Sequence, residues 1–423
     1  MNQLAIHNQE LRQLIEHKAL NLTEHAVDLD NIDLVLRECL SIEEMREAGS
    51  FFTGQNLATQ VVKKFATRIT FDSVVLDPTC GAGNLLIECS RCLGVAETLS
   101  QTMLLWGRVL CGFDIHESFI EATKLRLVLE ALSKGVIQDC SIDEAVSYLN
   151  NIYVNDALRV NKEDLLKVTH VIMNPPFSIW NSTNRHYWKK GKVNAAGIVF
   201  DHYLRVLPNN CQIAAILPDV LRSGSRYNLF RDFCSLNLNA KTIIWGRFNS
   251  KTDVDVFILH GFLAENENNE CIGWQEDLGE YEQLSTKFNV CTGPLVAYRD
   301  MIAGVEYPYF HSKNTPAWET ITAHTETRRF RGKVLSPPFV LVKRTSSPGD
   351  KNRATATIVN LKTMVAVENH LIVIKPKNNS LKDCKKLLKI LKSEKTNEFL
   401  NKRIRLRHLT VQVVKSIPLG SSY

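Results

Sequence analysis

The chain has 423 residues, 44% of them hydrophobic, which is enough for more than one buried core and excludes a disordered or fibrous polypeptide. No apolar run reaches the ~18 residues a membrane span needs, and the polar start Met1-Asn-Gln-Leu-Ala-Ile-His lacks the apolar centre of a signal peptide, so no membrane partner and a cytoplasmic location are expected. The net charge of +6 hides an asymmetry: 25 Lys and Arg stand against 9 Asp and Glu from Ser285 onward, but 26 against 36 before it, so the last third is expected to meet a polyanion.

The first 48 residues read as a helical cap, with Leu4, Leu11, Leu14, Ile15 and Leu20 at helical spacing and a second apolar set from Ile32 to Leu40. Gly49-Ser-Phe-Phe-Thr-Gly54 then forms a loop feeding a helix that carries Leu57, Val61, Val62 and Phe65. Thr53 stands where a hydroxyl caps helix N–H groups, and the adjacent Phe51 and Phe52 offer an edge to a ligand.

Val74-Val-Leu-Asp-Pro-Thr-Cys-Gly-Ala-Gly83 reads as a strand, a glycine turn and the start of a helix. Gly81 and Gly83 permit close backbone approach and positive φ, and a polar ligand is expected beyond the strand's carboxyl end at Asp77. The turn matches neither the dinucleotide fingerprint nor the phosphate loop. The absence of a lysine after it argues against a triphosphate.

Val109 to His116 is a second strand ending in an acid, Asp114, placed to accept from ribose hydroxyls, with Ile115 positioned to press on a purine face. A helix follows over Glu121 to Ser133. Ile152 to Ala157 is a third strand, and its Asp156 is placed to accept from an exocyclic amine. Cys89 and Cys92, two of 11 scattered cysteines, form a CxxC with no second pair at zinc spacing, so reduced thiols and no metal are expected.

The fourth strand ends in Val171-Ile-Met-Asn-Pro-Pro-Phe177. Neither proline donates a backbone N–H and each forces extension before it, leaving a rigid corner with the Asn174 amide, the Pro175 carbonyl and the Phe177 ring on show. Any one strand-end acid is usually a turn or cap. Three in succession, followed by an amide, point to a cofactor cleft beside a cradle for a flat amine.

Residues 178–197, with Trp180, Tyr187, Trp188, Lys189 and Lys190, read as a mobile loop over that cleft. A helix (Phe200 to Leu207), a strand (Cys211 to Leu217), a helix (Tyr227 to Ser235) and two strands (Lys241 to Trp245, Val254 to Leu259) follow. Phe248, in the link between these last strands, is expected to be exposed and to stack on a planar group.

The polar stretch 264–284 reads as a linker and 285–423 as a basic α+β domain. Ser336-Pro-Pro-Phe339 echoes the earlier corner without its amide and reads as a turn. Lys343, Arg344, Lys351, Arg353, Arg403, Arg405 and Arg407 are the expected phosphate contacts. The lysines between Lys382 and Lys402 read as a solvated helix face.

These motifs, in this order, resemble the gamma-class S-adenosylmethionine-dependent DNA adenine-N6 methyltransferases of type II restriction-modification systems over residues 49–260. The resemblance implies an α/β, Rossmann-like doubly wound sheet of seven strands with the last antiparallel, in a catalytic domain spanning 49–263. It implies S-adenosylmethionine as cofactor, its methionine part held by Thr53 and by the residues after the first strand, with Phe52, Asp77, Thr79, Cys80, Gly81 and Gly83 among the cofactor-binding residues. Asp114 would bind its ribose, with Ile115 against the purine face, and Asp156 and Ala157 its adenine. Asn174, Pro175, Pro176 and Phe177 would be catalytic, with Asn174 also beside the cofactor and Phe177 and Phe248 sandwiching a flipped-out target base. Gly54 stands where the family often has proline, and Phe177 where it often has tyrosine.

The implied partner is double-stranded DNA, read through the basic domain by a prokaryotic or phage-type protein, monomeric or weakly dimeric, with any cognate restriction endonuclease acting separately. The same corner occurs in enzymes that methylate RNA bases or a glutamine side chain. Modification subunits with a separate specificity subunit, and non-catalytic subunits that bind the cofactor and DNA, are further alternatives.

Overall fold

The computed structural model describes residues 2–17, 27–30, 53–188, 190–249, 252–264, 272–276 and 279–420. Phe52, most of the expected helical cap and the loop before Thr53 lie outside the described residues.

Short apolar runs form the strands of the first unit: β1 (Val75–Asp77), β2 (Leu110–Asp114), β3 (Ile152–Val154), β4 (His170–Met173), β5 (Gln212–Pro218), β6 (Leu238–Arg247) and β7 (Asp255–Leu263). The central strands β1 and β4 are buried along their whole length, as parallel strands covered by helices on both faces must be. The sheet runs β3-β2-β1-β4-β5-β7-β6. The first five are parallel, and β7 is antiparallel to both of its neighbours, β5 and β6. This is the Rossmann-like doubly wound arrangement, with the strand last in the chain inserted second from the edge. Leu76, Ile172 and Ile216 are fully buried, each worth about 1.5–3 kcal/mol of transfer free energy.

Around the sheet lie α1 (Asn2–Glu16), α2 (Gln55–Val62), α3 (Asn84–Ser90), α4 (Leu99–Val109), α5 (Glu117–Ser133), α6 (Ile142–Ser147), α7 (Ala195–Val206) and α8 (Asn228–Asn237). Helix α1 is part of this unit rather than a separate cap. Its Leu11 and Ile15 join the main core, and Arg12 reaches Glu121 at 3.0 Å and Asp143 at 2.8 Å. Cys89 is buried and Cys92 exposed at the end of α3.

Residues 178–197 differ from the loop expected there. Ile179–Asn181 pairs antiparallel with Lys192–Asn194, and both Tyr187 and Trp188 are buried. Trp188 stacks on Phe230 at 4.8 Å between centroids and Tyr187 on Phe233 at 5.3 Å. The Tyr187 hydroxyl donates to buried Asp201, which also accepts from Arg205 at 3.0 Å. The aromatic residues that suggested a lid are the anchors of a pinned hairpin.

The chain divides at Trp274/Gln275, inside the stretch expected as linker. Within that stretch Ile272 is buried, and the Trp274 indole donates to Ser235 Oγ at 3.1 Å. These two apolar residues tie its first part to the first unit.

The second unit is α+β. Its strands are β8 (Phe288–Thr292), β9 (Val305–Phe310), β10 (Thr320–Ile321), β11 (Thr327–Phe330), β12 (Phe339–Lys343), β13 (Ala356–Val359), β14 (Ala366–Val367) and β15 (Leu371–Pro376). They form a five-stranded sheet, β8-β15-β12-β13-β10, and a three-stranded sheet, β11-β9-β14. Helices α9 (Leu381–Lys392), α10 (Glu394–Arg403) and α11 (Val411–Lys415) share one core with the larger sheet through Leu387, Leu391, Phe399, Leu400 and Val414. Cys384, Leu387 and Leu391 are buried at helical spacing while Lys382, Lys385 and Lys389 are exposed, so these lysines form the solvated face of α9.

Candidate active site

Register brings the strand ends together. Val75 of β1 pairs with Leu110 of β2 on one side and His170 of β4 on the other, so Asp77, Asp114 and the residue after Met173 emerge at one edge of the sheet. The chain's winding reverses between β1 and β4, and a crevice opens at such a switch point.

The turn after β1 is held by Cys80 N donating to Phe113 O at 2.8 Å and by Gly83 N donating to Cys80 O at 2.8 Å. Gly81 and Gly83 have φ of 54° and 84°. A Cβ on Gly83 would lie 2.7 Å from the Thr123 methyl, and Thr123 Oγ1 itself donates to Gly81 O at 2.8 Å. Glycine is therefore required at Gly83 on two counts, conformation and space.

Asp114 ties the second strand end to this turn, accepting from Gly81 N at 3.2 Å and from His116 N at 2.9 Å. Asp77 accepts from Thr79 N at 3.1 Å. Burial pushes the Asp77 carboxyl up to about 8 and raises that of Asp114, while the local N–H donors pull each back toward the charged form. Asp156 is half exposed, accepts from Leu158 N at 2.9 Å and lies 3.6 Å from Arg159. It is a local cap as well as a cleft residue.

The resulting cleft encloses about 900 Å³, open solvent at its mouth included. Thr53, Asp77, Thr79, Cys80, Gly81, Asp114, Ile115, Asp156, Ala157, Asn174 and Pro176 line it. Gly83, Pro175, Phe177 and Phe248 do not. Sequence reasoning missed Asn84, His116, Phe119, Asn155 and Val199, which also line it. Trp180, assigned there only to a loop, lines it too.

Thr53 does not cap its helix. The residue at the N-terminus of α2 is Gly54, and Gln55 N donates to Asp30 Oδ1 at 3.1 Å. The Thr53 hydroxyl instead accepts from Asn174 Nδ2 at 3.0 Å, linking the first motif directly to the amide at the tip of β4.

Behind Thr53 lies a buried polar chain. Asn84 Nδ2 donates to Thr53 O at 2.7 Å and to Leu29 O at 2.9 Å, and Asn84 Oδ1 accepts from Arg126 Nη1 at 2.6 Å. The same guanidinium nitrogen donates to Ala82 O at 2.6 Å. Arg126 is fully buried, and loss of water lowers its pKa to about 9. A signal for it was present in the sequence: Arg126 is a charge inside the apolar run Leu125 to Leu129.

Phe248 is buried rather than exposed, and it meets the buried Phe177 edge to face, with centroids 5.7 Å apart and planes at 85°. In this arrangement no planar group fits between the two rings. The link carrying Phe248 folds back through Phe248 N donating to Val254 O at 2.9 Å, which turns the ring inward.

Two of the basic residues expected on phosphates are used internally. Arg353 is fully buried, with Nε donating to Ser346 Oγ at 3.0 Å, Nη1 to Asn401 Oδ1 and Ile404 O at 2.9 Å, and Nη2 to Leu406 O at 2.6 Å. It staples two loops and is not a surface contact. Arg403 donates to Gln275 Oε1 at 2.7 Å and lies over the Phe399 ring. Ser346 N donates to Arg407 O and Leu409 N to Arg344 O, which lays the chain at Arg344 antiparallel to the chain at Arg407. Lys351 is exposed.

Among the described residues no group of three His, Cys, Asp or Glu is placed to hold a metal ion, and no helix is long and apolar enough to cross a membrane.

Residues 34–232 match the family model described as N-6 DNA methylase. Comparison with curated proteins finds no match. Among solved structures, the type IIL restriction-modification enzyme MmeI, determined in complex with DNA, is similar with a TM-score of 0.52 and 11% identity over 90% of this chain and 69% of that one, a likeness of fold. The type IIG restriction endonuclease BpuSI gives a TM-score of 0.46 and 14% identity over 92% of this chain and 60% of that one. The type I restriction-modification methyltransferase subunit from Streptococcus thermophilus gives 0.37 and 18% over 52% and 45%. The chain therefore spans 60% and 45% of the length of these last two proteins.

Proposed function

We propose, from the match of residues 34–232 to the N-6 DNA methylase family model, that the chain transfers a methyl group from S-adenosylmethionine to the exocyclic amine of an adenine flipped out of duplex DNA. The observation that carries this reading is the Asn174 side chain, fixed at the tip of β4 in the same cleft as Asp114 and the glycine turn.

The cleft suits the cofactor. Thr79 Oγ1 lies buried in it without a hydrogen-bond partner among the described residues, and the Gly81 and Gly83 turn brings backbone close enough to cradle a ligand. Thr79 and the turn would hold the amino-acid part, Asp114 the ribose hydroxyls and Asp156 with Ala157 the adenine. When bound, S-adenosylmethionine supplies an electrophilic methyl on sulfonium.

The rest of the work is orientation and charge placement. The target amine is a poor nucleophile because its lone pair is delocalised into the ring. Asn174 Nδ2 is committed to Thr53, so Oδ1 is the atom presented to an amine N–H, with the Pro175 carbonyl as second acceptor. Accepting both N–H bonds draws the nitrogen toward tetrahedral geometry and frees its lone pair for the new N–C bond as the S–C bond breaks. The surplus proton leaves to solvent, and because the amine attacks the methyl directly no covalent nucleophile is needed. Phe177 supplies an apolar wall for the base, and Phe248 must swing away from it before a base can be held between them.

Incubation of the chain alone with labelled cofactor and either duplex DNA or RNA, followed by digestion to nucleosides, tests this. N6-methyladenine from the DNA arm is the expected product. Label in RNA or in protein overturns the substrate, and no transfer until a second subunit is added assigns the chain to the modification-subunit class.

A further inference from the structure

Leu295 is fully buried, yet the chain after it turns four large apolar side chains to water: Tyr298 is 89% exposed, Met301 84%, Ile302 71% and Val305 62%. The backbone beneath them is braced. Val296 N donates to Asp300 Oδ2 at 2.8 Å, and Asp300 N donates back to Val296 O at 2.8 Å. Arg328 Nη2 donates to Ala297 O at 3.1 Å and Asp300 O at 3.0 Å, and Arg329 Nε donates to Gly304 O at 3.0 Å. Gly304 has φ of 97°, and a Cβ there would lie 2.9 Å from Phe330 O. Exposed apolar side chains clustered on a braced loop mark a surface that another molecule covers.

The surroundings indicate which molecule. Residues 296–306 and 327–333 carry five basic side chains against two acidic ones. Arg299 pairs with Asp300 at 2.9 Å, while Arg329, Arg331 and Lys333 are exposed. An apolar tip within a cationic rim fits a polyanion that hides flat apolar surfaces between its charges, as duplex DNA does with stacked bases between phosphates. A protein partner's apolar patch would not call for that rim.

Resting on the reading of DNA as substrate, we propose that the loop from Val296 to Val305 is a DNA wedge. Met301 and Ile302 insert at a base step, Tyr298 stacks on the base so uncovered, and Arg329, Arg331 and Lys333 hold the flanking phosphates. Flipping and bending a duplex both unstack bases, and an apolar insert lowers that cost.

The test uses the full chain and a mixed-sequence plasmid, with binding measured across a salt series. Met301→Ala/Ile302→Ala lowers plasmid affinity about 10-fold, the scale of one lost base contact, without changing the slope of log K against log salt. Arg331→Ala and Lys333→Ala each lower that slope by about 1. Met301→Leu binds as the parent does. Met301→Lys separates insertion from lying against phosphates: an inserted tip loses affinity despite the added charge, and a tip lying on phosphates gains it. Wild-type affinity in the double alanine variant, or tighter binding by Met301→Lys, overturns the wedge. So does a change in oligomeric mass with unchanged DNA affinity, which would assign the face to a second copy. A parent chain that binds no duplex removes the DNA reading and the wedge together. A parent that methylates duplex while the loop variants match it removes the wedge alone.

Discussion

Thr53→Val tests the contact that joins the first motif to the reacting corner. Valine keeps the shape of the buried threonine and its backbone carbonyl, which accepts from Asn84 Nδ2 at 2.7 Å, but removes the hydroxyl that accepts from Asn174 Nδ2 at 3.0 Å. Depriving a donor of its acceptor costs about 1–3 kcal/mol when the donor is buried, an upper bound for the part-buried Asn174 amide. If that cost falls on holding the amide in its reactive orientation, methyl transfer slows by about 5- to 150-fold at about 1.4 kcal/mol per factor of ten. Single-turnover transfer, equilibrium cofactor binding and thermal melting measured on the same variant separate the possibilities. The expected pattern is a slower transfer step, a cofactor Kd within a few-fold of the parent and restoration by Thr53→Ser. A rate within twofold of the parent refutes the positioning role. A Kd that weakens as much as the rate would make Thr53 a cofactor ligand instead.

The buried Asp77 carboxyl, pushed up to about 8 from an ordinary value of 3.8, gives a pH prediction. A carboxyl raised in the folded state contributes stability that is fully present below the unfolded pKa and is lost as pH rises through about 8. Parent Tm should therefore fall more steeply than that of Asp77→Asn between about pH 5 and about pH 9, and parallel curves would show that Asp77 folds as a carboxylate. Arg353→Met should cost about 3 kcal/mol or more in urea unfolding because it strips partners from buried acceptors. Arg344→Ala should leave Tm unchanged and lower the salt slope of DNA binding by about 1; the opposite assignment of these two effects would place Arg353 on DNA. Asp114→Ala should weaken cofactor binding in calorimetry, and an unchanged Kd would remove it from the ribose.

The seven-stranded sheet was readable because its signals are local. A strand that ends in an acid at a turn declares its direction, and three such ends followed by the Asn174 amide leave one sheet edge for the ligand. What could not be read was decided by side chains meeting across long sequence separations. Thr53 looks like a cap because hydroxyls before helices usually are; only the fold brings Asn174 to it. Tyr187 and Trp188 sit in polar company along the chain but find Phe233 and Phe230 in space. Arg353 falls in a basic stretch, yet its four carbonyl and side-chain acceptors come from the loop at Ser346, from helix α10 and from the loop after that helix, which no local pattern connects. Arg126 was the recoverable omission, since a charge on an apolar helix face has to find buried partners.

The most direct test of the account is methyl transfer to DNA by the parent chain and by Asn174→Ala, with product nucleosides identified and cofactor affinity measured in parallel. The account predicts N6-methyladenine from the parent, none above background from the variant, and cofactor Kd values within a few-fold of each other. An Asn174→Ala protein that retains most of the parent rate would contradict it.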